Sequence, residues 1–534
     1  MSRTATLQDS LGAFGFSANI EATPRYQHSY HGRKGASVGC GQTQTKGLCA
    51  VTRKAADKTR REFLKTCGES TAAFVTGCQM QQDSRSFRKP NILFLFTDDQ
   101  RFDTLRALGN AQIVTPNMDR LVQDGVCFTG AYIMGSMSAA VCMPNRAMLL
   151  TSRSLFHLKK DGAVVPPSDV LLPEALACAG YETFETGKWH QDAKALARSF
   201  SSADKIFFGG MNDHYKVPVH DFDASGNYPP EGVYCVEGTH SSELFSDAVI
   251  RFLRSRFSTG PFFAYVAYTA PHDPREMPRE YLEMYDPASL SLPPSFLSEH
   301  PFDNGELRVR DEALAAWPRT PEEIRRHLAA YYAMITHLDT QIGRVLDVLD
   351  EMGLFSSTIV VFSSDNGLAV GRHGLMGKQS VYEHSVHVPL ILRGPGIPKG
   401  EKRAALCYLN DVYPTLCDLA DVAIPASVEG RSLAPVLRDG SASVRDALFF
   451  AYKNFQRAVR KDRWKLILYN VHGTKTAQLF DLEHDPWETQ NLADDPAYAR
   501  QKQELTVLMK DGLKTLGDKV DLEKPDWGVP EIPG

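Results

Sequence analysis

The sequence predicts an α/β fold: a large, mostly parallel central sheet flanked by helices, then a small C-terminal α+β part with an antiparallel sheet. Three observations predict it. Short uninterrupted apolar runs recur between residues 91 and 392, as expected of strands covered on both faces. Helical patterns alternate with them, the signature of a parallel sheet built from crossover units. After about residue 439 the alternation stops, and short strands follow one another before a last helix.

Composition sets the bounds. The chain has 534 residues, 43% hydrophobic and 23% charged, enough for one large core and a smaller domain. The formal net charge of -5 asks for neither nucleic acid nor an acidic surface as partner. A local basic pocket for a polyanion is compatible with that total. Ten cysteines are scattered without a C-x-x-C pair, so neither structural zinc nor a disulfide framework is indicated. No apolar run beyond the leader region is long enough to span a membrane as a helix.

Residues 1–88 read as an extension and a leader. Up to about residue 52 the chain is polar and without a period, as in a disordered segment or a stretch ahead of the true start. Arg60-Arg61-Glu62-Phe63-Leu64-Lys65 then resembles the twin-arginine export signal of bacteria. Val75-Thr76-Gly77-Cys78 resembles a lipobox, whose cysteine is lipidated. The expected localisation is export by the twin-arginine route, to the periplasm or to a lipid anchor at Cys78.

A catalytic domain is expected over 89–439. Asn91 to Phe96 is an apolar run, hence a buried strand, ending at Asp98-Asp99. Thr115-Pro116-Asn117 opens a helix with Met118, Leu121 and Val122 on one side. Leu171 to Gly180 reads as a helix and Tyr181 to Thr186 as a strand leading to Gly187-Lys188-Trp189-His190. Residues 201–238 are rich in Gly, Asn, Asp, Tyr and Pro and read as surface loops over the site. Phe262 to Tyr268 is a strand ending in Thr269-Ala270-Pro271-His272, and residues 277–319 are a proline-rich excursion. From Pro321 the apolar positions Ile324, Leu328, Tyr331, Ile335, Leu338, Ile342, Val345 and Leu349 alternate steps of four and three, a helix ended by Gly353. Thr358 to Phe362 and Val388 to Leu392 are further strands. In the expected subdomain 440–534, short strands such as Ala447 to Tyr452 and Trp464 to Tyr469, read as part of an antiparallel sheet, are followed by Leu479-Phe480-Asp481-Leu482 and a final helix.

The polar clusters are placed tellingly. Asp98-Asp99, His272 and Asp365-Asn366 each follow the carboxyl end of an apolar strand, the edge where open α/β sheets bind ligands. Any one of them is ordinary turn chemistry; three at one edge indicate a site. Asp98, Asp99, Asp365 and Asn366 offer only oxygen, which suits a hard cation such as calcium or magnesium rather than zinc. The crowded carboxylates would repel one another without it.

Cys142-Met143-Pro144-Asn145-Arg146 opens an apolar helical run, with proline in its first turn. Alone, this is a buried cysteine before a helix. Taken with TDDQ, GKWH, APHDP, SSDNG and HGLMGK in that order, it resembles the type I, formylglycine-dependent sulfatases of the alkaline phosphatase superfamily, in particular exported bacterial arylsulfatases. The resemblance runs from about residue 90 to about 493 and includes the tail motif Asp485 to Leu492. Asn145 stands where that family usually has a small residue, most often serine.

The resemblance implies an alkaline phosphatase-like fold and oxidation of Cys142 to formylglycine by a formylglycine-generating enzyme. It implies one divalent cation, usually calcium, held by Asp98, Asp99, Asp365, Asn366 and residue 142. Arg146 is then the formylglycine-stabilising arginine, and Lys188 and Lys378 the sulfate-binding lysines. The hydrated aldehyde attacks sulfur, assisted by an acid such as Asp365. His272 or Lys378 protonates the leaving alcohol, and His190 deprotonates the second hydroxyl to expel sulfate. An unmodified thiol beside Arg146 and a cation is expected to be partly ionised. His373 is weighed as a pocket residue, but a structural role is favoured. The expected substrate is a sulfated small molecule or glycan. The alternatives are a phosphodiester or phosphonate-monoester hydrolase of the same superfamily, and a non-catalytic protein that binds sulfated glycans.

Overall fold

The computed structural model describes residues 89–256 and 260–528. The leader motifs at Arg60-Arg61 and Cys78 lie outside them.

An eight-stranded sheet forms the centre. Its spatial order is Glu401–Arg403, Val126–Phe128, Leu390–Arg393, Thr358–Ser364, Asn91–Thr97, Phe262–Ala267, Glu182–Lys188 and Ser202–Phe207. All neighbours are parallel except Leu390–Arg393, which runs against both of its own. Asn91–Thr97 pairs with Phe262–Ala267 on one side and Thr358–Ser364 on the other.

Side-chain alternation along this strand splits the interior into two cores. Leu93 and Leu95 face one of them, with Leu244 and Phe245 of the helix Ser241–Ser255 and Ile335 and Leu338 of the helix Pro321–Glu351. Ile92, Phe94 and Phe96 face the other, with Leu149 of the helix Cys142–Thr151, Leu176 of Leu172–Cys178 and Leu416 of Val412–Leu419. The result is a three-layer arrangement in which strands covered on both faces carry continuous apolar sequence.

The long helix is specified locally as well. The Thr320 side chain accepts the Glu323 N–H, Pro321 takes the first position, and Glu322 and Glu323 sit at the positive end of the dipole. All eight apolar positions of its stripe are buried. The Asp339 carboxylate on this helix accepts the N–H groups of Asn117 at 3.1 Å and Met118 at 2.7 Å, satisfying the free amino end of the helix Pro116–Asp124.

A second sheet holds Ala447–Tyr452, Gln456–Lys461, Trp464–Val471 and Thr474–Asp481, all antiparallel. Leu505, Met509 and Leu513 of the helix Ala499–Thr515 cover one face. Its fifth strand is Gly135–Ser136, paired in parallel with Ala447–Tyr452. A Cβ at Gly135 would lie 2.1 Å from the Ala451 carbonyl oxygen, and its φ of 100° is a glycine conformation. The second sheet is therefore joined to the chain just ahead of Cys142.

Several strands escape the sequence reading, among them the short Val126–Phe128, Gly135–Ser136 and Glu401–Arg403 and the longer Ser202–Phe207 and Gln456–Lys461. Ser202–Phe207 lies in the stretch expected to be loops, and its first four residues are only half-buried. As the last strand of the sheet it carries Asp204 and Lys205, so its apolar signal is short. Gln456–Lys461 begins and ends polar although Gln456 and Arg457 are buried. Among the described residues no helix is long and apolar enough to cross a membrane.

Candidate active site

The site lies at the carboxyl edge of the central sheet. Asp98 and Asp99 follow Asn91–Thr97, Lys188 ends Glu182–Lys188, His272 follows Phe262–Ala267, and Asp365 and Asn366 follow Thr358–Ser364. Adjacent parallel strands bring these residues together although up to 268 positions separate them in sequence, as between Asp98 and Asn366. Cys142 enters from the first turn of its helix and Lys378 from the loop after Asp365.

Cys142 is the meeting point. Its Sγ lies 3.3 Å from Asp98 Oδ1, 3.8 Å from Asp99 Oδ1 and 3.0 Å from Lys378 Nζ. Lys378 also donates to Asp99 Oδ1 at 2.6 Å. Lys188 donates to Asp98 Oδ2 at 2.5 Å. Arg146, one turn after Cys142, donates to Asp365 Oδ2 and to the Lys188 carbonyl, both at 2.9 Å, and comes within 3.5 Å of Asp98 Oδ2. Asp365 Oδ1 accepts the Asp99 N–H at 3.1 Å, and Asn366 donates to Asp99 Oδ1 at 2.6 Å. His272 Nε2 is 3.7 Å from Asp99 Oδ2, while its Nδ1 is 2.7 Å from the Asp273 carbonyl oxygen. His190 borders the same cavity as Cys142, Lys188, His272 and Lys378. Every sequence-predicted site residue is thus brought to one place. His373 is not: its ring stacks on Tyr382 at 4.1 Å, the structural role.

Charge balance explains how so many buried ions coexist. Three carboxylates face three cations, all shielded from solvent, and an unpaired buried charge would be costly. Burial would raise the Asp98 carboxyl, but Lys188, His272, Arg146 and Lys378 bring it well below the usual range. Burial raises Asp99 to about 6 against the pull of Lys378, and Asp365 to about 6 with Asp98 adding to the rise. Burial lowers His190 to about 2, with Lys188 and Arg146 adding to the effect. Burial lowers His272 to about 4, helped by Lys378; both rings are neutral at pH 7.

The Cys142 thiol is pushed well above its ordinary value by burial, Asp365 and Asp98. A partly ionised thiol is the expectation beside both Arg146 and a cation; with the protein's own groups alone, burial and the carboxylates outweigh Lys188 and Lys378. The guanidinium is committed to Asp365 and a carbonyl, so the thiol senses carboxylates more than it senses Arg146.

The same shell fits a cation. Asp99 Oδ2 and Asn366 Oδ1 are buried without a hydrogen-bond partner, a costly condition unless something positive completes them. One atom from each of Asp98, Asp99, Cys142 and His272 lies within 4.8 Å of the others. His272 is an addition to the oxygen set read from the sequence.

Several positioning residues were not legible. Glu312, in the proline-rich excursion, accepts the N–H groups of Met376 at 2.9 Å and Gly377 at 2.8 Å and pairs with buried Arg319 at 2.8 Å. It thereby fixes the turn that delivers Lys378. Asp311 accepts from Gln379 at 2.8 Å, and Arg310 bridges Asp273 and Asp311. Asn145 is buried and donates to the carbonyls of Val141 at 2.8 Å and Gly135 at 3.2 Å, tying the start of the Cys142 helix to the second sheet. The contacts of Glu312 with Met376 and Gly377, of Asp311 with Gln379 and of Arg310 with Asp273 join segments far apart in sequence, and no local pattern encodes them. The cavity has a volume of about 610 Å3, and its outer wall includes Gly210, Met211, Gly305, Arg308 and Arg310. The stretch 201–238, expected to lie over the site, and the proline-rich excursion 277–319 both contribute to that wall.

Comparison with known proteins agrees with this geometry. The sulfatase family profile matches residues 90–422, and that of the N-sulphoglucosamine sulphohydrolase C-terminal region matches 371–515. The chain is 30% identical over 471 residues to an arylsulfatase of Clostridium perfringens, covering 80% of this chain and 94% of that one. It is 26% identical over 512 residues to an N-acetylglucosamine-6-O-sulfatase of Bacteroides thetaiotaomicron, covering 82% and 88%. Among solved structures, one in complex with its substrate D-glucosamine-2-N,6-O-disulfate superposes with a TM-score of 0.70 at 24% identity, over 82% of this chain and 99% of that one; at that identity the likeness concerns the fold. A phosphonate monoester hydrolase of Silicibacter pomeroyi superposes with a TM-score of 0.63 at 26% identity, over 80% and 96%.

Proposed function

The chain belongs to the sulfatase family and is a sulfuric ester hydrolase; from that premise we propose that it cleaves sulfate esters of carbohydrates with a nucleophile made from Cys142 and one hard divalent cation. The observation that carries this is the set of contacts at Cys142. Its side chain is buried between two carboxylates and an ammonium group, at the sheet edge where the remaining cations converge. The carbohydrate class is supported by the N-acetylglucosamine-6-O-sulfatase relative.

Asp98, Asp99, Asp365, Asn366 and residue 142 would hold the cation; their oxygen atoms suit calcium or magnesium, and the family resemblance favours calcium. When bound, it supplies positive charge to oxygens that become more negative as the ester is cleaved. Lys188 and Lys378 reach the same cavity and give charge-assisted hydrogen bonds to sulfate oxygens. Arg146, fixed by Asp365 and the Lys188 carbonyl, keeps the acids around residue 142 in register.

Oxidised to an aldehyde and hydrated, residue 142 carries two hydroxyls, one to attack sulfur and one through which sulfate is released. His190 is neutral and takes the proton of the second. An anionic substrate beside it raises its basicity from the low value of the free site. Lys378 keeps its proton, because Asp99 and other neighbouring acids outweigh burial, and it gives the leaving oxygen a donor, with His272 beside it.

The second reading is phosphonate-monoester hydrolysis, favoured by the structural likeness to the Silicibacter enzyme. The test is to produce the protein with a formylglycine-generating enzyme, weigh the Cys142 peptide, and assay aryl sulfate, aryl phosphonate and a panel of sulfated sugars. Aldehyde at position 142 with sulfate-ester turnover is the expected result. Full activity with an untouched thiol would refute the mechanism. A thiol with no turnover would favour a non-catalytic glycan-binding protein.

Export is proposed on Arg60-Arg61 and the following Phe63-Leu64-Lys65. Replacing both arginines with lysine is expected to hold the protein in the cytoplasm, and Cys78→Ser to free any membrane-anchored fraction. Unchanged periplasmic recovery of the lysine variant would rule this out.

A further inference from the structure

The cavity at Cys142 does not end at the sulfate-binding groups. Gly305 and Arg308 line it and also line a second cavity of about 620 Å3. Glu299, Asp303, Trp317 and His472 border this second space. His472 sits in the turn between Trp464–Val471 and Thr474–Asp481, so the small sheet supplies one wall and the proline-rich excursion the other.

Arg308 stands where the two spaces meet. It is exposed and makes no hydrogen bond or ion pair among the described residues. Arg310, two residues on, is held by Asp273 and Asp311. Trp317 is 41% exposed, and the Arg319 guanidinium lies 3.8 Å from the centroid of its ring. Arg319 is itself anchored by Glu312, so the indole is pinned while part of it stays open. Glu299 and Asp303 are exposed acceptors at the same rim.

We propose that the second cavity is a subsite for the neighbouring unit of a sulfated oligosaccharide, with Trp317 beneath the sugar ring and Arg308 on a second anionic substituent. A pyranose has an apolar C–H face that lies well on a rigid aromatic ring, and hydroxyl edges that donate to carboxylates. A cation with no partner of its own recognises a sulfate or carboxylate. The two spaces share a wall, so one chain of linked sugars can occupy both. An aryl sulfate fills only the first. This inference rests on the sulfatase reading.

The test uses the matured full-length enzyme with aryl sulfate turnover as reporter. Glucosamine 6-sulfate and tetrasaccharides from partly depolymerised heparin and carrageenan are added as competitors. At least one tetrasaccharide is expected to inhibit roughly tenfold more tightly than the monosaccharide, a step of about 1.4 kcal/mol. Trp317→Ala and Arg308→Gln are each expected to bring that ratio close to one, and Trp317→Phe to restore most of it. Tetrasaccharides that compete no better than the monosaccharide would overturn the subsite, as would a ratio that neither variant changes. An enzyme with the aldehyde but no sulfate-ester turnover would overturn the sulfatase reading, and this inference with it.

Discussion

Lys378 holds its ammonium nitrogen 3.0 Å from the sulfur of Cys142 and 2.6 Å from Asp99 Oδ1. It arrives there because Glu312 fixes the backbone of the two preceding residues. Lys378→Met is expected to lower kcat/KM for aryl sulfate by about 10²- to 10⁴-fold, the range for losing a positioned proton donor or charge. Rates are to be normalised to aldehyde content. Glu312→Gln keeps the shape and one acceptor, so a loss of roughly tenfold is expected. A Lys378→Met enzyme within threefold of the parent would remove this lysine from the mechanism.

Asp365 links the backbone of Asp99 to the Arg146 guanidinium. Asp365→Ala is expected to lose the cation and activity together, and to destabilise the fold by about 3 kcal/mol by removing the shorter ion pair of buried Arg146, which keeps only the pair with Asp98 at 3.5 Å. Metal analysis of the parent should find one calcium or magnesium per chain. Zinc at full occupancy would instead point to Cys142 and His272 as the ligands.

Cys142→Ala is expected to fold, since a small residue suits the first turn of a helix, and to have no turnover. Cys142→Ser can attack sulfur once but lacks the second hydroxyl, so it should stop after a single event, visible as a mass increase at that peptide. Asn145→Ser is expected to raise the aldehyde fraction without changing turnover per aldehyde. It also gives up the two buried hydrogen bonds of Asn145, lowering stability by about 1–2 kcal/mol. Equal aldehyde content in parent and variant would show that asparagine is no hindrance to the modifying enzyme.

Acid sensitivity should come partly from a row of three buried histidines. His214 and His240 stack at 5.0 Å, and His240 meets His337 edge-on at 4.5 Å. Glu243 lies 3.2 Å from His337, and the Glu276 carbonyl oxygen is 3.0 Å from His240 Nε2. Burial lowers all three, His214 and His337 to about 4 and His240 to about 2; repulsion from His214 and His337 adds to it at His240, from His214 at His337 and from His272 at His214. The unfolded chain, with histidines near 6.5, binds more protons than the native one between about pH 6.5 and 4. Stability therefore rises with pH across that window and falls on acidification, by about 1.4 kcal/mol per unit for each histidine well below 6.5. Urea midpoints at pH 7.5, 6 and 5 measure the slope. His240→Gln should flatten it, and an unchanged slope would count against this row.

The parts legible in the sequence were those governed by local rules. Asn91–Thr97 and Phe262–Ala267 announce themselves because both faces are covered, and the long helix because its stripe is regular and capped. Asp98, His272 and Asp365 were readable because each follows such a strand. Ser202–Phe207 was hidden by its half-exposed polar residues, and Glu312 by lying in a segment with no period. The Asn145 contacts depend on Gly135, ten residues earlier, on a strand that exists only once Ala447–Tyr452 has been made.

The central strand has a consequence in time. Asn91–Thr97 is synthesised early, but its partners Phe262–Ala267 and Thr358–Ser364 come much later. Lys378 leaves the ribosome 236 residues after Cys142. At about 5–20 residues per second that interval lasts roughly 10 to 50 s. Until it passes, Lys378 cannot close over the thiol, and on the proposed function the segment around Cys142 stays open to the modifying enzyme. If Cys142 is oxidised as proposed, translation rate sets the interval before Lys378 can cover it.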